Sequence, residues 1–219
     1  MDKMIVTGFR WAPPFAQGLV RDLRVRWALE EAGLPYVVRP VDIANLKSSA
    51  HIKKHPFGLV PTLESNGREL FESGAILYDL AQHHEVLMPS THHDRTDTLA
   101  WMFAALNTVE PPLFNLFAMD RLYGQEEWAK LGRASAVEAA KTRLDALSGW
   151  LHGRNYLLQR FTVADILMAT VLRFIQHTDL VADFPVLDAY LKRCEGRSSF
   201  QKALTDQLAD YARSARAAA

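Results

Sequence analysis

The spacing of apolar positions divides the chain into an α/β beginning and a helical remainder. Met4 to Phe9 is a short apolar run of strand type, and Gly18 to Ala32 reads as a helix in which charged residues separate Leu19, Leu23, Val25, Trp27 and Leu29. Gly33 then acts as a left-handed helix stop. Tyr36-Val37-Val38-Arg39-Pro40-Val41 is rich in β-branched residues and predicts a second strand, which a right-handed crossover makes parallel to the first. After an irregular basic stretch from Asn45 to His55, Val60–Glu64 and Glu69–Phe71 flank an Asn66-Gly67 pair that predicts a tight hairpin. Ser73 to His83 returns to helical spacing through Ile76, Leu77 and Leu80.

From Met88 to Arg95 the pattern lapses into Pro, Ser, Thr, His and Asp, the composition of an exposed linker. Beyond it the apolar positions make only helical segments, at about 94–123, 126–152, 162–179, 186–195 and 198–212. Pro111-Pro112 must kink or interrupt the first of these, because proline removes a donor and clashes with the preceding turn. Thr162 and Asp165 have the spacing of a capping box before an apolar helix, a folding role. The expected organisation is a small domain over residues 1–84, a linker over 85–93 and an all-helical domain over 94–219.

Composition narrows the function. With 49% hydrophobic and 23% charged residues, 219 residues suit two ordinary globular domains. The 25 basic residues balance 25 acidic ones and are scattered, so no electrostatic footprint for nucleic acid is present. No segment is long enough to span a membrane, and residues 1–6 run directly into strand pattern rather than a signal peptide. Cys194 is the sole cysteine, which excludes an internal disulfide, suits a reducing, cytoplasmic compartment, and reads as a buried inert thiol. The adjacent pairs His83-His84 and His92-His93 direct their rings apart and read as solvated side chains, so no metal is expected.

Four motifs in order carry a family resemblance. His55-Pro56-Phe57-Gly58-Leu59-Val60-Pro61-Thr62-Leu63 and Phe71-Glu72-Ser73-Gly74-Ala75-Ile76 resemble the glutathione-binding half of cytosolic glutathione transferases. Arg24 to Glu31 is similar to the first helix of that family, and Thr162-Val163-Ala164-Asp165-Ile166 to the start of its sixth. The resemblance implies a thioredoxin-like β-α-β-α-β-β-α domain followed by the family's all-helical domain. It implies glutathione as co-substrate and a homodimer as the assembly. It also implies that Pro61 is cis, that the Val60 main chain bonds the cysteinyl part of glutathione as an added strand, and that Ser73 at a helix start meets the γ-glutamyl carboxylate. Glu72 is placed for the α-ammonium, and Lys47 for the glycyl carboxylate. Leu59 departs from the family pattern, which often has Lys or Gln there, so one polar contact is missing.

A second departure bears on chemistry. The family activates the glutathione thiol by hydrogen-bonding its thiolate from a Tyr, Ser or Cys near the first helix, since a free thiol with a pKa of about 8.5 is mostly protonated at neutral pH. Residues 8–23 contain no Ser, Thr, Tyr or Cys. Arg21 is the candidate substitute, because a guanidinium supplies charge and several donors; Trp11 offers an indole N–H, and the first amides of the helix offer donors without a side chain. Trp11, Phe15, Phe114 and Phe117 are the candidates for a hydrophobic electrophile pocket, although the group Trp101, Phe103, Phe114 and Phe117 also reads as helix core. Two functions stay open: a transferase adding glutathione thiolate to a small hydrophobic electrophile, and a noncatalytic glutathione-binding or protein-interaction module. The absence of a cysteine near the thiol disfavours a disulfide reductase, and the absence of a Ser-Ser-Cys type motif at the first helix disfavours a maleylacetoacetate isomerase.

Overall fold

The computed structural model describes residues 4–217. Residues 1–3, part of the segment expected to lack a leader, lie outside the described residues. The chain forms two compact units, one running to Leu87 and including Arg197 onward, the other running from Met88 to Gly196.

The first unit is built on β1 (Met4–Phe9), α1 (Asp22–Glu31), β2 (Tyr36–Val41), α2 (Ser49–Ile52), β3 (Thr62–Ser65), β4 (Arg68–Phe71), α3 (Ser73–Gln82) and α9 (Ser198–Ala217). Its sheet has the order β2-β1-β3-β4, with β1 and β2 parallel and the other neighbours antiparallel. This is the thioredoxin-like layout that the alternation of elements predicts. The hairpin turns on Asn66 at φ 51° and Gly67 at φ 72°, the left-handed pair that a two-residue loop needs to match strand twist. The irregular stretch before β3 contains one helical turn, α2, capped by the Ser48 hydroxyl accepting from the His51 N–H.

Helix α1 starts four residues later than the apolar spacing predicts. Gly18 takes φ 78°, and Pro13 and Pro14 hold the preceding segment in a short 3-10 turn, so regular helix is delayed to Asp22. Residues 22–29 of this helix are all buried, the charged ones included. Asp22 accepts from Arg26 Nε at 2.8 Å and from Gln207 Nε2 at 2.8 Å, and Arg26 Nη1 donates to Asp210 at 2.7 Å. The cover is α9, which also sets Phe200 edge-on to Trp27, with ring centroids 4.8 Å apart. Gly8 in β1 makes room for this network: a Cβ there would lie 2.8 Å from the Asp22 carboxylate. The sequence reading assigns all of 94–219 to a helical domain, whereas α9 packs in the first unit. Its pattern marks a helix with one apolar face and carries no label for the surface that face covers.

The second unit holds α4 (His92–Phe103), α5 (Glu110–Arg121), α6 (Glu127–Leu151), α7 (Val163–Leu172) and α8 (Pro185–Glu195). Pro111-Pro112 sit at the start of α5, and the six residues before it, Ala104–Val109, widen into π-helix, which accommodates the rings and the missing donors. Helix α7 is buried throughout and opens on the predicted capping box. Asp165 accepts from the Thr162 N–H at 2.8 Å, the Leu157 N–H at 3.0 Å and the Tyr190 hydroxyl at 3.0 Å. No helix among the described residues is long and apolar enough to cross a membrane.

Candidate functional site

Sheet topology gathers most of the candidate residues at one end of the first unit. Thr62 of β3 pairs with Phe71 of β4, so Val60-Pro61 and Glu72-Ser73 flank the same end of the hairpin. Because β1 runs antiparallel to β3 and parallel to β2, the loop carrying Trp11, Phe15 and Arg21 and the segment carrying Lys47 leave the sheet at that end too. Crevices beyond the carboxyl ends of parallel strands are where α/β sheets bind ligands.

The Val60–Pro61 peptide is cis. On the C-terminal side of Pro61 the chain is pinned: the Thr62 N–H donates to the Thr7 hydroxyl at 2.6 Å, and the Thr7 hydroxyl donates to Thr62 Oγ1 at 3.1 Å. On the N-terminal side it makes a tight bend. Gly58 has φ 63°, and a Cβ there would meet the Leu46 carbonyl oxygen at 2.8 Å, so only glycine fits. The His51 ring bonds the Leu59 carbonyl through Nε2 at 2.9 Å. His55 is buried against Phe71, with centroids 5.1 Å apart, and exposed Phe57 leans on both rings. Burial pushes the His55 imidazole below its ordinary value, against the opposing pull of the Glu72 carboxylate.

Glu72 carries the clearest backbone signal. It has φ 68° and ψ 114°, a region that residues with a Cβ avoid and that clusters at ligand sites. It is the N-cap of α3, makes no side-chain cap bond, and is exposed. The helix therefore starts without the usual side-chain acceptor at its positive end. Ser73, the first residue of α3, is buried and accepts a hydrogen bond from Arg24 Nη1 at 3.2 Å.

Around the expected thiol position the side chains are less decisive. Trp11 is 47% exposed and Phe15 38%, and Gln17 closes their loop by donating to the Ala12 carbonyl at 2.9 Å. Arg21 is the N-cap of α1 and is half-buried. Of the helix amides proposed as donors, Leu23 and Arg24 bond back to the Val20 and Arg21 carbonyls at 3.0 and 3.2 Å. Those two amides are committed within the chain. Lys47 is exposed beside the 3-10 turn Ile43–Asn45.

Phe114 and Phe117 belong to the second unit, where they form an aromatic trio with Phe174, with centroids 5.3 to 5.9 Å apart. Beside the trio His177 Nε2 bonds Asp120 at 2.9 Å, and Arg133 grips the same carboxylate through Nε at 2.7 Å and Nη2 at 3.1 Å. Against the cost of burial, Arg133 and His177 hold the Asp120 carboxyl below its ordinary value. Trp101 packs on Trp150, while Phe103 is 56% exposed and is not core. No group of three or more metal-ligating side chains occurs among the described residues.

Sequence reasoning missed the burial of Asp22, Arg24 and Arg26 on α1 and of Gln207 on α9. The available signal was a run of charged positions inside an apolar helix, which resembles a solvated face.

Comparison with known proteins agrees with this architecture. Residues 17–82 match the family described as glutathione S-transferase, N-terminal domain, and residues 121–198 the one described as glutathione S-transferase, C-terminal domain. The chain is 30% identical over 199 residues to a maleylacetoacetate isomerase of Rhizobium meliloti, covering 84% of this chain and 91% of that one. It is 28% identical to glutathione S-transferase GST-4.5 of Xanthomonas campestris, covering 89% and 96%. A glutathione transferase structure from Pseudomonas putida, with one glutathione disulfide bound per subunit, superposes with a TM-score of 0.80 at 24% identity, covering 93% and 91%. A thioredoxin-like sheet with a cis Val60–Pro61 turn, the Glu72-Ser73 helix start and the capped α7 thus meet in one chain, which belongs to the glutathione S-transferase family.

Proposed function

We propose that the chain is a glutathione transferase that adds the glutathione thiolate to a small hydrophobic electrophile. The observation that carries this reading is the shared position of Val60-Pro61 and Glu72-Ser73 at one end of the hairpin, with the strained Glu72 backbone between strand and helix. In this reading residues 1–84 are the glutathione-binding domain. The Val60 main chain pairs with the cysteinyl segment, Ser73 and the start of α3 take the γ-glutamyl carboxylate, Glu72 the α-ammonium, and Lys47 the glycyl carboxylate. Arg21 stabilises the thiolate, with Trp11 as the neighbouring donor, and the candidates for contact with the electrophile are Trp11 and Phe15 in the first unit and Phe114 and Phe117 in the second. The working form is a cytoplasmic homodimer without a metal; an isologous two-fold pairing is the ordinary assembly of such a chain.

Titration with glutathione, read by calorimetry and by thiolate ultraviolet absorbance against pH, tests it. Ser73→Ala is expected to weaken binding by about 1–3 kcal/mol, the cost of removing one partner of a hydrogen bond to a charged group. An unchanged dissociation constant removes the Ser73 assignment. Arg21→Ala is expected to raise the bound thiol pKa while leaving affinity well below that pKa unchanged; an unmoved titration curve removes Arg21 from the chemistry.

The second reading, a noncatalytic glutathione-binding or interaction module, draws on the missing hydroxyl and thiol donors in residues 8–23 and on the commitment of the Leu23 and Arg24 amides. Glutathione binding with no lowering of its thiol pKa selects it. The relative named as an isomerase adds a third assay, isomerisation of maleylacetoacetate, in which no turnover is expected because residues 8–23 hold no serine or cysteine.

A further inference from the structure

We infer that Arg24 is the positioning residue of the anion subsite: its guanidinium fixes the Ser73 hydroxyl as a donor directed at the carboxylate of the ligand. The inference rests on the proposed glutathione site and adds a residue to it.

Arg24 lies on α1, 49 positions before Ser73, and is 2% exposed. Its Nη1 is 3.2 Å from Ser73 Oγ, and Ser73 is itself 5% exposed. A guanidinium is donor-only, whereas a hydroxyl has one proton and two lone pairs. The Arg24 contact therefore consumes a lone pair of Ser73 and forbids the Ser73 proton from pointing back at Arg24. The hydroxyl must donate elsewhere, and the ligand it suits is one that offers an acceptor. The start of α3 has the same polarity: Glu72 gives no side-chain cap, so the first amides of the helix also present donors. A hydroxyl that could rotate freely would serve an acceptor or a donor equally. With Arg24 behind it, it serves acceptors alone, which is selection for a carboxylate over an ammonium or an amide N–H at that point. Arg24 does not touch the ligand; it acts through Ser73.

The test compares glutathione with 4-aminobutyryl-cysteinylglycine, the same tripeptide without the γ-glutamyl α-carboxylate, by calorimetry on the full chain. The wild type is expected to prefer glutathione by about tenfold or more, the scale of one charge-assisted hydrogen bond. Arg24→Gln, whose amide both donates and accepts, is expected to lose most of that preference by weakening glutathione about tenfold with little change for the analogue. Arg24→Lys keeps a donor-only group and is expected to retain the preference within about threefold. Ser73→Ala should abolish the further effect of Arg24→Gln, since the two act as one unit. Arg24→Gln binding both ligands like the wild type, weakening both equally, or adding fully to Ser73→Ala overturns the inference. Should Arg24→Gln fail to fold, Arg24→Lys decides: loss of the preference in a folded Lys variant overturns it. Wild-type protein that binds no glutathione overturns the functional reading itself, whereas binding with an indifferent Arg24 overturns the positioning role alone.

Discussion

Asp165→Ala is expected to lower the unfolding free energy by about 3–5 kcal/mol, the largest effect of any single substitution in the second unit. The carboxylate is the shared acceptor for the Leu157 and Thr162 N–H groups and the Tyr190 hydroxyl, all in the interior. Truncation strands three buried donors at once, and each unsatisfied donor costs about 1–3 kcal/mol. Denaturant unfolding monitored by tryptophan fluorescence measures this, and a loss below about 1 kcal/mol would mean that water replaces the carboxylate. Burial pushes the Asp165 carboxyl up to about 6, with the Leu157 and Thr162 bonds pulling the other way. Its unfolded value is about 3.9, so the native state holds the proton more tightly. The contribution of this group to stability therefore falls as pH rises from about 4 to about 6, then stays level. Asp165→Asn removes that slope, which a pH series of unfolding curves detects.

Arg26→Ala is the second large effect, expected at about 3–5 kcal/mol, the cost of leaving a buried charge without its partner. The variant leaves the fully buried Asp22 without its cation, and Asp210 without its link to α1. Burial already pushes the Asp22 carboxyl above its ordinary value, and removal of Arg26 raises it further. A raised native pKa means stability lost as pH rises, so the deficit of the variant against wild type should shrink as pH is lowered towards about 4. A deficit that is flat in pH would place the damage in lost packing alone. The paired change Asp22→Leu with Arg26→Met is expected to cost less than Arg26→Ala, because neither charge is then stranded. Amide exchange along α9 should accelerate in the single variant and not in the pair.

The strands and long helices are readable from the sequence because their cause is local. The Asn66-Gly67 turn, the β-branched run of β2 and the spacing of Thr162 and Asp165 each state their own structure. The π-helical widening before Pro111-Pro112 is half-readable: proline forbids a continuous α-helix but does not dictate how the ladder reopens. The polar interior of α1 is not readable. Asp22 and Arg26 look like surface charges until Gln207 and Asp210, more than 180 positions away, arrive to satisfy them. The same holds for the candidate site. Pro61 and Ser73 announce themselves through motif, whereas the partnership of Arg24 with Ser73 depends on how α1 lies against α3, which no spacing records.

The return of α9 to the first unit has a consequence for biosynthesis. The helix that covers Trp27 and satisfies Asp22 comes after the whole second unit in sequence, so it leaves the ribosome once those roughly hundred residues have been made. At about 5–20 residues per second that is a delay on the order of ten seconds, during which the first unit has its sheet but not its cover. The second unit, contiguous from Met88 to Gly196, is under no such constraint. A released chain truncated after residue 196 should hold a protease-resistant second unit and a first unit that is still open to cleavage around α1.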